Sequence, residues 1–151
     1  MRKFEIVKDD KRKIKGTDIQ LPTRADDGSA GYDIYSPFDF EIKPKDTIVF
    51  PTDIKVCMEK DEVLFVFIRS SIGIKRRISI TNGTGVIDST YYGNEDNDGN
   101  IHLALTNEGN KVQSFKRGER IAQGVFVKYL TTDNDKPLSH KRTGGIGSSG
   151  V

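Results

Sequence analysis

Turn-forming residues divide the sequence into many short apolar segments, none as long as an ordinary helix. Phe38, Phe40 and Ile42 alternate with polar residues, which predicts a half-buried strand. Proline-containing turns at 44–46 and 51–53 bound the next segment. About ten such strands with regularly spaced turns predict an all-β sandwich or barrel with almost no helix.

The other predicted strands are rich in β-branched and aromatic residues: 48–50, 54–58, 63–68, 78–80, 101–105, 112–115 and 120–130. Segment 63–68 is apolar throughout, so we expect both of its faces to be buried. A further short strand is predicted near 17–21, within a charged region that shows no continuous strand pattern. Residues 71–77 form the one plausible helical turn.

Composition limits the class of protein. The 151 residues predict a single domain, 1–151, and a net charge of +2 argues neither for nor against a nucleic-acid partner. No apolar run approaches the ~20 residues of a membrane helix. We therefore expect a cytoplasmic protein, in the host cytoplasm if viral, that does not bind membranes. One cysteine excludes an internal disulfide, and two histidines that pair with no nucleophile argue against a Ser-His-Asp hydrolase.

Segment 81–94 has the layout of a pocket. Asn82-Gly83 predicts a hairpin, and Gly85 allows another chain or a ligand to approach the backbone closely. Val86 and Ile87 are expected to enter the core.

The residues that follow suit a catalytic site. Asp88 lies at the end of a predicted strand, which would hold a water-activating carboxylate rigidly, and Tyr91 can return over the same hollow as a flat wall. An ordinary hairpin with a turn aspartate and a surface tyrosine remains the alternative from this segment alone.

The tail from residue 131 is polar and becomes rich in glycine and serine. Such a segment cannot bury enough apolar surface to offset its ordering entropy, so by itself we expect it to be flexible. It is either a linker or a flap that closes over phosphates, using backbone N–H groups and the basic Lys141 and Arg142.

Five segments, in order and spanning most of the chain, resemble the motifs of the trimeric dUTP diphosphatase (dUTPase) family: 30–36, 69–71, 82–93, 118–123 and 144–150. The resemblance implies a distorted jelly-roll β-barrel with a C-terminal arm, 131–151, that carries the glycine-rich flap. It implies hydrolysis of dUTP to dUMP and pyrophosphate by in-line attack of water on the α-phosphorus. That reaction limits uracil in DNA and supplies dUMP for thymidylate synthesis.

The resemblance also assigns catalytic roles. Asp88 would orient and deprotonate the attacking water, and Asp33 would hold a water of a Mg²⁺ ion bound mainly by phosphates and waters. Arg69 and Ser70 would contact the phosphates, and Gln123 would reach the α-phosphate. From the residues alone, Asp33 could instead be a turn residue, Arg69 a strand-end ion pair and Gln123 a solvent-facing side chain.

Eleven residues are implied to bind substrate: Ser71, Asn82, Gly85, Val86, Ile87, Tyr91, Arg142, Gly145, Ile146, Gly147 and Ser148. Asn82 and the hairpin backbone would pair with uracil, Gly85 would exclude the thymine methyl group, and Tyr91 would exclude a ribose 2′-hydroxyl. Ile146 stands where the family commonly has a phenylalanine over the uracil ring. Because isoleucine cannot stack, we expect weaker affinity with the reaction retained. The resemblance places the arginine that usually starts the final motif at Arg142, with Lys141 beside it, to within one residue.

The family resemblance implies a homotrimer whose sites lie at subunit interfaces, with the third motif, first motif and flap on different subunits. A dCTP deaminase-like relative and a dUTP-gated regulatory interaction protein are the alternatives. A barrel that binds single-stranded nucleic acid through Arg69 and the basic run 75–77 would leave Asp88 and Gln123 without a role. Stable nucleic-acid binding is therefore not expected.

Overall fold

The computed structural model describes residues 1–138 and 142–147, and these are mostly β-strand. The strands are β1 Lys3–Ile6, β2 Tyr32–Tyr35, β3 Phe40–Ile42, β4 Thr47–Pro51, β5 Ile54–Cys57, β6 Glu62–Ile68, β7 Ile78–Ile80, β8 Gly85–Asp88, β9 His102–Asn107, β10 Gln113–Phe115 and β11 Arg120–Lys128. The α-helix α1 spans Ser70–Arg76, and 3₁₀ turns span Asp9–Lys11 and Ser89–Tyr91. This confirms the predicted all-β class. None of the described helices has the length and hydropathy needed to span a membrane.

The strands pair antiparallel in small sheets, giving a jelly-roll-like arrangement. One sheet has the order β2-β11-β6-β8, a second has the order β4-β9-β7, and β1-β5 and β3-β10 form two-stranded pairs. β11 therefore lies between β2 and β6, although it is the last of the described strands in the sequence.

Aromatic rings join the small sheets around one buried hydrophobic cluster. The ring of Phe40 on β3 lies 4.8 Å from that of Phe115 on β10 and 5.2 Å from that of Phe50 on β4, measured between centroids. Burial of each such ring stabilises the fold by roughly 1.5–3 kcal/mol. The contact between Phe40 and Phe50 connects the β3-β10 pair to the sheet that contains β4, with which it shares no strand pairing.

The expectation that both faces of segment 63–68 are buried is wrong for the chain by itself. Leu64 and Val66 point into the core, but Phe65 is half-buried and Phe67 is 37% exposed. The cross-strand partners of Phe65 are Val86 and Val125, and the row continues to Val127. We call Phe65, Phe67, Val86, Val125 and Val127 the outer apolar face.

The turn at 81–84, here the Asn82 turn, is not a hairpin as predicted. β7 pairs with β9 while β8 pairs with β6, so the turn joins two different sheets. Gly83 has φ +81°, in the left-handed region that glycine favours. Ile87 packs against the core, but Val86 is 57% exposed, so its expected burial is wrong.

The N-terminal region also differs from prediction. Residues 17–21 form no strand, whereas Lys3–Ile6 does, pairing with β5. β1 was missed because its apolar residues are few and are flanked by charged residues. In the structure, Phe4 of β1 packs against the core cluster.

β6 lies directly against Gly85 and leaves no room for a side chain at this position. A Cβ atom there would lie 2.9 Å from Cβ of Val66. We predict that Gly85→Ala lowers the free energy of unfolding by about 1–3 kcal/mol, because the β6–β8 pair must separate to accept the methyl group. Denaturant unfolding measures this. Gly28→Ala is the control, since its added Cβ would meet only Asp26 Oδ1 at 3.5 Å; equal losses in the two variants would contradict the explanation.

Candidate functional site

A cavity of about 470 Å³ opens between the Asn82 turn, β8 and β9. It brings together nine residues predicted for the site: Asn82, Gly85, Val86, Ile87, Asp88, Tyr91, Arg142, Ile146 and Gly147. Sequence reasoning missed other lining residues, including Val49, His102 and Leu103. Their pattern indicated only strands, because alternation does not show which strands meet around a hollow.

Tyr91 forms a fixed wall of the cavity. Its side chain is 5% exposed, and its hydroxyl donates to the Asn100 carbonyl at 2.7 Å and accepts from Asn97 Nδ2 at 2.8 Å. Burial raises the pKa of Tyr91 above its usual value, although the Asn97 hydrogen bond and the Arg142 charge act in the opposite direction. The phenol therefore stays protonated at neutral pH and keeps donating to Asn100.

Asn100 is itself held by a buried reciprocal pair. The Asp53 N–H donates to Asn100 Oδ1 at 2.9 Å, and Asn100 Nδ2 donates to Asp53 Oδ1 at 2.8 Å. The Asp53 carboxylate also accepts the backbone N–H groups of Lys13 and Ile14, at 3.0 and 2.8 Å. The loop at 94–100 is thus held by a buried network, which no local pattern could reveal because Asp53 lies on another turn.

The N-terminal strand is tied to the same loop. Asp98 accepts a 2.8 Å hydrogen bond from Lys55 Nζ and a 3.0 Å hydrogen bond from the Lys8 N–H. The Tyr92 hydroxyl donates to Glu5 at 2.6 Å, which raises the pKa of Tyr92 to about 12. These contacts give Tyr92 a structural role.

Arg142 connects the tail to the cavity. Its Nη1 lies 3.2 Å from Asp88 Oδ2, and its guanidinium carbon lies 5.0 Å from the Tyr91 ring centroid. Its Nε and Nη2 donate to the carbonyls of Gly144 and Gly145 at 2.9 and 2.7 Å. Within residues 1–138 and 142–147, no hydrogen bond reaches Oδ1 of Asp88. One carboxylate oxygen is thus oriented while the other can accept a proton.

We call residues 142–147 the flap. The Gly145 N–H donates to Asp96 Oδ2 at 2.8 Å, so this group is already engaged within the chain. Ile146 is 70% exposed at the mouth of the cavity. The flap lies over the cavity of its own chain, whereas the expectation placed the flap and third motif on different subunits. Lys141 and Ser148 fall outside the described residues.

Arg69, Ser70 and Gln123, which were predicted to contact the phosphates, lie in a second hollow of about 370 Å³. Asp33, Arg69, Ser70 and Gln123 line it, and the hollow shares no lining residue with the first cavity. Gln123 packs so closely over Gly31 that a Cβ atom there would overlap it.

Asp33 lies at the centre of a charged cluster. It is buried and pairs with Arg69 Nε at 2.9 Å and with Arg120 Nη1 at 3.5 Å. Arg120 was not among the predicted site residues. Ser71 lies in the adjacent open hollow with Arg69 and Arg120.

One chain does not bring the two hollows together. Asp33 is on edge strand β2 and Asp88 on the opposite edge strand β8, with β11 and β6 between them. Asp33 aligns through Gln123 with Phe67, and Asp88 aligns with Val63. Three strand spacings and a four-residue offset separate the two carboxylates by roughly 20 Å. They cannot act on one phosphorus atom from the same chain.

Comparisons with known proteins agree with one another. The dUTPase family model matches residues 17–150. The chain is 37% identical over 152 residues to the deoxyuridine 5′-triphosphate nucleotidohydrolase of Lactococcus lactis subsp. lactis, covering 100% of this chain and 99% of the relative. It is 35% identical over 142 residues to the protein of that name from Dictyoglomus turgidum, covering 89% and 92%.

A solved structure shows the same likeness. The crystal structure of dUTPase from Streptococcus mutans aligns with a TM-score of 0.75 at 34% identity, covering 87% of this chain and 98% of that chain. The match extends over nearly the whole sequence and includes both hollows, and on this basis the chain belongs to the dUTPase family.

Proposed function

We propose that the chain hydrolyses dUTP to dUMP and pyrophosphate, which limits uracil in DNA and supplies dUMP. The observation that carries this proposal is the cavity walled by the Asn82 turn and Tyr91, with the half-exposed Asp88 carboxylate at its edge. The names of the Lactococcus and Dictyoglomus relatives support dUTP as the substrate.

Selection of uracil and deoxyribose follows from the rigidity of these walls. Gly85 is pressed against Val66, so the strand that borders the base cannot retreat to admit the methyl group of thymine. Backbone groups of the Asn82 turn would pair with the uracil edge. Tyr91 cannot swing away from the sugar because its hydroxyl is fixed by Asn97 and Asn100, and it would exclude a 2′-hydroxyl.

The chemistry needs a base and neutralisation of phosphate charge. Arg142 orients the Asp88 carboxylate through Oδ2, and Oδ1 would take the proton from the water that attacks the α-phosphorus. Arg69, Ser70 and Gln123 would contact the phosphates in the second hollow, where charge develops in the transition state.

The residues present fit a Mg²⁺ ion held mainly by phosphates and waters. The described part of the chain contains no cluster of three side chains that could hold a metal by themselves. Asp33 would bind one of the metal's waters, with Arg69 fixing the orientation of its carboxylate. When bound, the ion would neutralise phosphate charge and align the chain of phosphates.

We propose a homotrimer whose sites are completed between subunits. Two observations support it: the half-sites are about 20 Å apart in one chain, and the outer apolar face lies between them. An exposed apolar surface in this position favours burial against a second copy. We further propose that residues 1–151 form one cytoplasmic domain with 131–151 as its arm.

One residue of the basic run 75–77, Arg76, is engaged within the fold. The guanidinium of Arg76 lies 3.8 Å from the Phe115 ring centroid, and it donates to Gln113 and to the Ser114 carbonyl. This arginine thus stabilises the fold.

Asp88→Asn tests the proposed base. We expect kcat for dUTP to fall by about 10²–10⁴-fold, because an amide cannot accept the proton from water. Pyrophosphate release from dUTP, dCTP, dTTP and UTP with Mg²⁺ measures activity and specificity. Asp46→Asn, a change at an exposed acid away from both hollows, should match wild type. Ammonia release from dCTP, or dUTP binding without turnover in the wild type, would instead support the deaminase or regulatory alternative.

A mixing experiment tests whether the site is shared. Asp33→Asn and Asp88→Asn chains should each be inactive alone, but unfolding and refolding them together at equal amounts should restore about a quarter of wild-type activity if each site draws the two residues from neighbouring subunits. Failure to recover activity in verified mixed oligomers would contradict the shared site.

Ile146→Phe tests the cap over the base. A ring at this exposed position can stack on uracil, so we expect KM for dUTP to fall by roughly tenfold with kcat little changed. Steady-state kinetics measures both. Ile74→Phe, at a position 76% exposed on α1, is the matched control and should leave KM unchanged. A KM that stays at the wild-type value in Ile146→Phe would show that Ile146 does not cover the base.

A further inference from the structure

We propose that Arg24 is a positioning residue on the phosphate side of the site, where it fixes the loop of residues 25–30 beside the second hollow. We call this loop the rim, because Ala25, Ser29 and Ala30 line the hollow. The inference rests on the proposed function, since the shape of the hollow matters to turnover only if it binds the phosphates of dUTP. Arg24 precedes the five motifs and does not itself line the hollow.

Both ends of the rim are fixed to edge strand β2. The Asp33 N–H donates to the Thr23 carbonyl at 2.7 Å, and the Thr23 N–H donates to the Asp33 carbonyl at 3.3 Å. The Thr23 hydroxyl lies 2.5 Å from the Tyr35 hydroxyl. At the other end, Gly31 leads directly into β2. Because its two ends are held close together, the conformation of the rim depends on the contacts made within it.

Arg24 joins the far end of the rim to its start. Its Nη1 donates to the Asp27 carbonyl at 2.8 Å and to the Ser29 carbonyl at 3.2 Å. Its guanidinium carbon lies 5.9 Å from the centroid of the Tyr32 ring on β2. Hydrogen bonds from a charged donor are stronger than those between neutral groups. One side chain thus connects the rim to the strand that carries Asp33.

Asp26 forms a second set of contacts, within the turn of the rim. Asp26 Oδ1 accepts the Gly28 N–H at 2.9 Å and the Ser29 hydroxyl at 3.0 Å. The hydrogen bond from the Ser29 hydroxyl, followed by those from the backbone N–H groups of Gly28 and Ser29, lowers the pKa of Asp26 below its usual value. The Ser29 hydroxyl therefore donates within the rim. The rim bounds the hollow by its shape, and Arg24 sets where that shape is held.

The rim ends against Gln123, one of the groups proposed to contact the phosphates. A Cβ atom on Gly31 would overlap Gln123 Oε1, so the backbone that follows the rim fits closely against this side chain. A displaced rim would therefore widen the hollow and release Gln123. The base is proposed to bind in the first cavity, which shares no lining residue with the second hollow. Loss of the Arg24 contacts should thus weaken binding of the phosphates and leave binding of the nucleoside unchanged.

The closing experiment compares Arg24→Ala and Arg24→Lys with Lys43→Ala. Lys43 is an exposed basic residue that follows β3 and lines neither hollow. Steady-state kinetics gives KM and kcat for dUTP. Competitive inhibition separates the two parts of the site, because 2′-deoxyuridine would occupy only the first cavity and pyrophosphate only the second hollow. Hydrogen exchange of the full-length protein, with mass spectrometry of the peptides that contain the rim, measures the order of the rim without substrate.

We expect Arg24→Ala to raise KM for dUTP and Ki for pyrophosphate by about tenfold, and to speed exchange of the rim amides by a similar factor. Because contacts to the phosphates are made in both the ground state and the transition state, kcat and Ki for 2′-deoxyuridine should stay within about twofold of wild type. Arg24→Lys keeps the charge, but its ammonium ends one bond short of the Nη1 position, so it should fall between Arg24→Ala and wild type. Lys43→Ala should match wild type.

Three results would overturn the proposal. Wild-type constants in Arg24→Lys would show that a positive charge is sufficient. A Ki for 2′-deoxyuridine that rises as much as that for pyrophosphate in Arg24→Ala would show a general loss of structure. Unchanged exchange of the rim amides in Arg24→Ala would show that Arg24 does not order the rim. Exchange needs no turnover, so this result is distinct from a failure of the wild type to hydrolyse dUTP, which would refute the proposed function.

Discussion

The site depends on the burial of Asp53 against Asn100. A buried carboxylate is tolerated only when its oxygens are hydrogen-bonded, and Asp53 achieves this with two backbone N–H groups of the N-terminal segment and the Asn100 amide. Asn100 is thereby fixed, and its carbonyl accepts both the Tyr91 hydroxyl and His102 Nδ1. A contact between two distant turns thus sets the orientation of two cavity walls.

The chain divides the proposed chemistry between two edges of one sheet. The cavity beside β8 has the base, the sugar wall and the flap, whereas the hollow beside β2 has Asp33 with two arginines. In the proposed homotrimer, such a division would make assembly a condition of activity, because neither half would orient water and neutralise phosphates alone. The outer apolar face between them is what a neighbouring subunit would cover.

Local patterns in the sequence predicted the features that depend on neighbouring residues, namely most strands and the turns. Alternation located most strands, and β7 was predicted at its observed bounds, because the period-two pattern reflects one buried face. The Asn82-Gly83 pair correctly indicated a turn but not its partners, since pairing with β9 or β6 depends on distant strands. Val86 was misplaced for the same reason: an apolar residue on a short strand can face either way.

The motifs located the candidate site residues, but not the groups that hold them. Asp96, Asn97 and Asn100 were not among the predicted site residues, because their partners Gly145, Tyr91 and Asp53 lie elsewhere in the sequence. A polar residue can be buried when it has a hydrogen-bond partner elsewhere in the fold. The residues adjacent to it in the sequence do not show which group that partner is. Arg120 was missed similarly, because its partner Asp33 belongs to β2.

The central position of β11 has a consequence for synthesis. β2 and β6 both form hydrogen bonds with β11, yet β11 ends at Lys128 in a chain of 151 residues. While the ribosome is still making the chain, both strands have an open edge that could pair with another nascent polypeptide. Folding of the main sheet is therefore postponed until β11 has been synthesised, and the period of risk for aggregation is set by the rate of elongation.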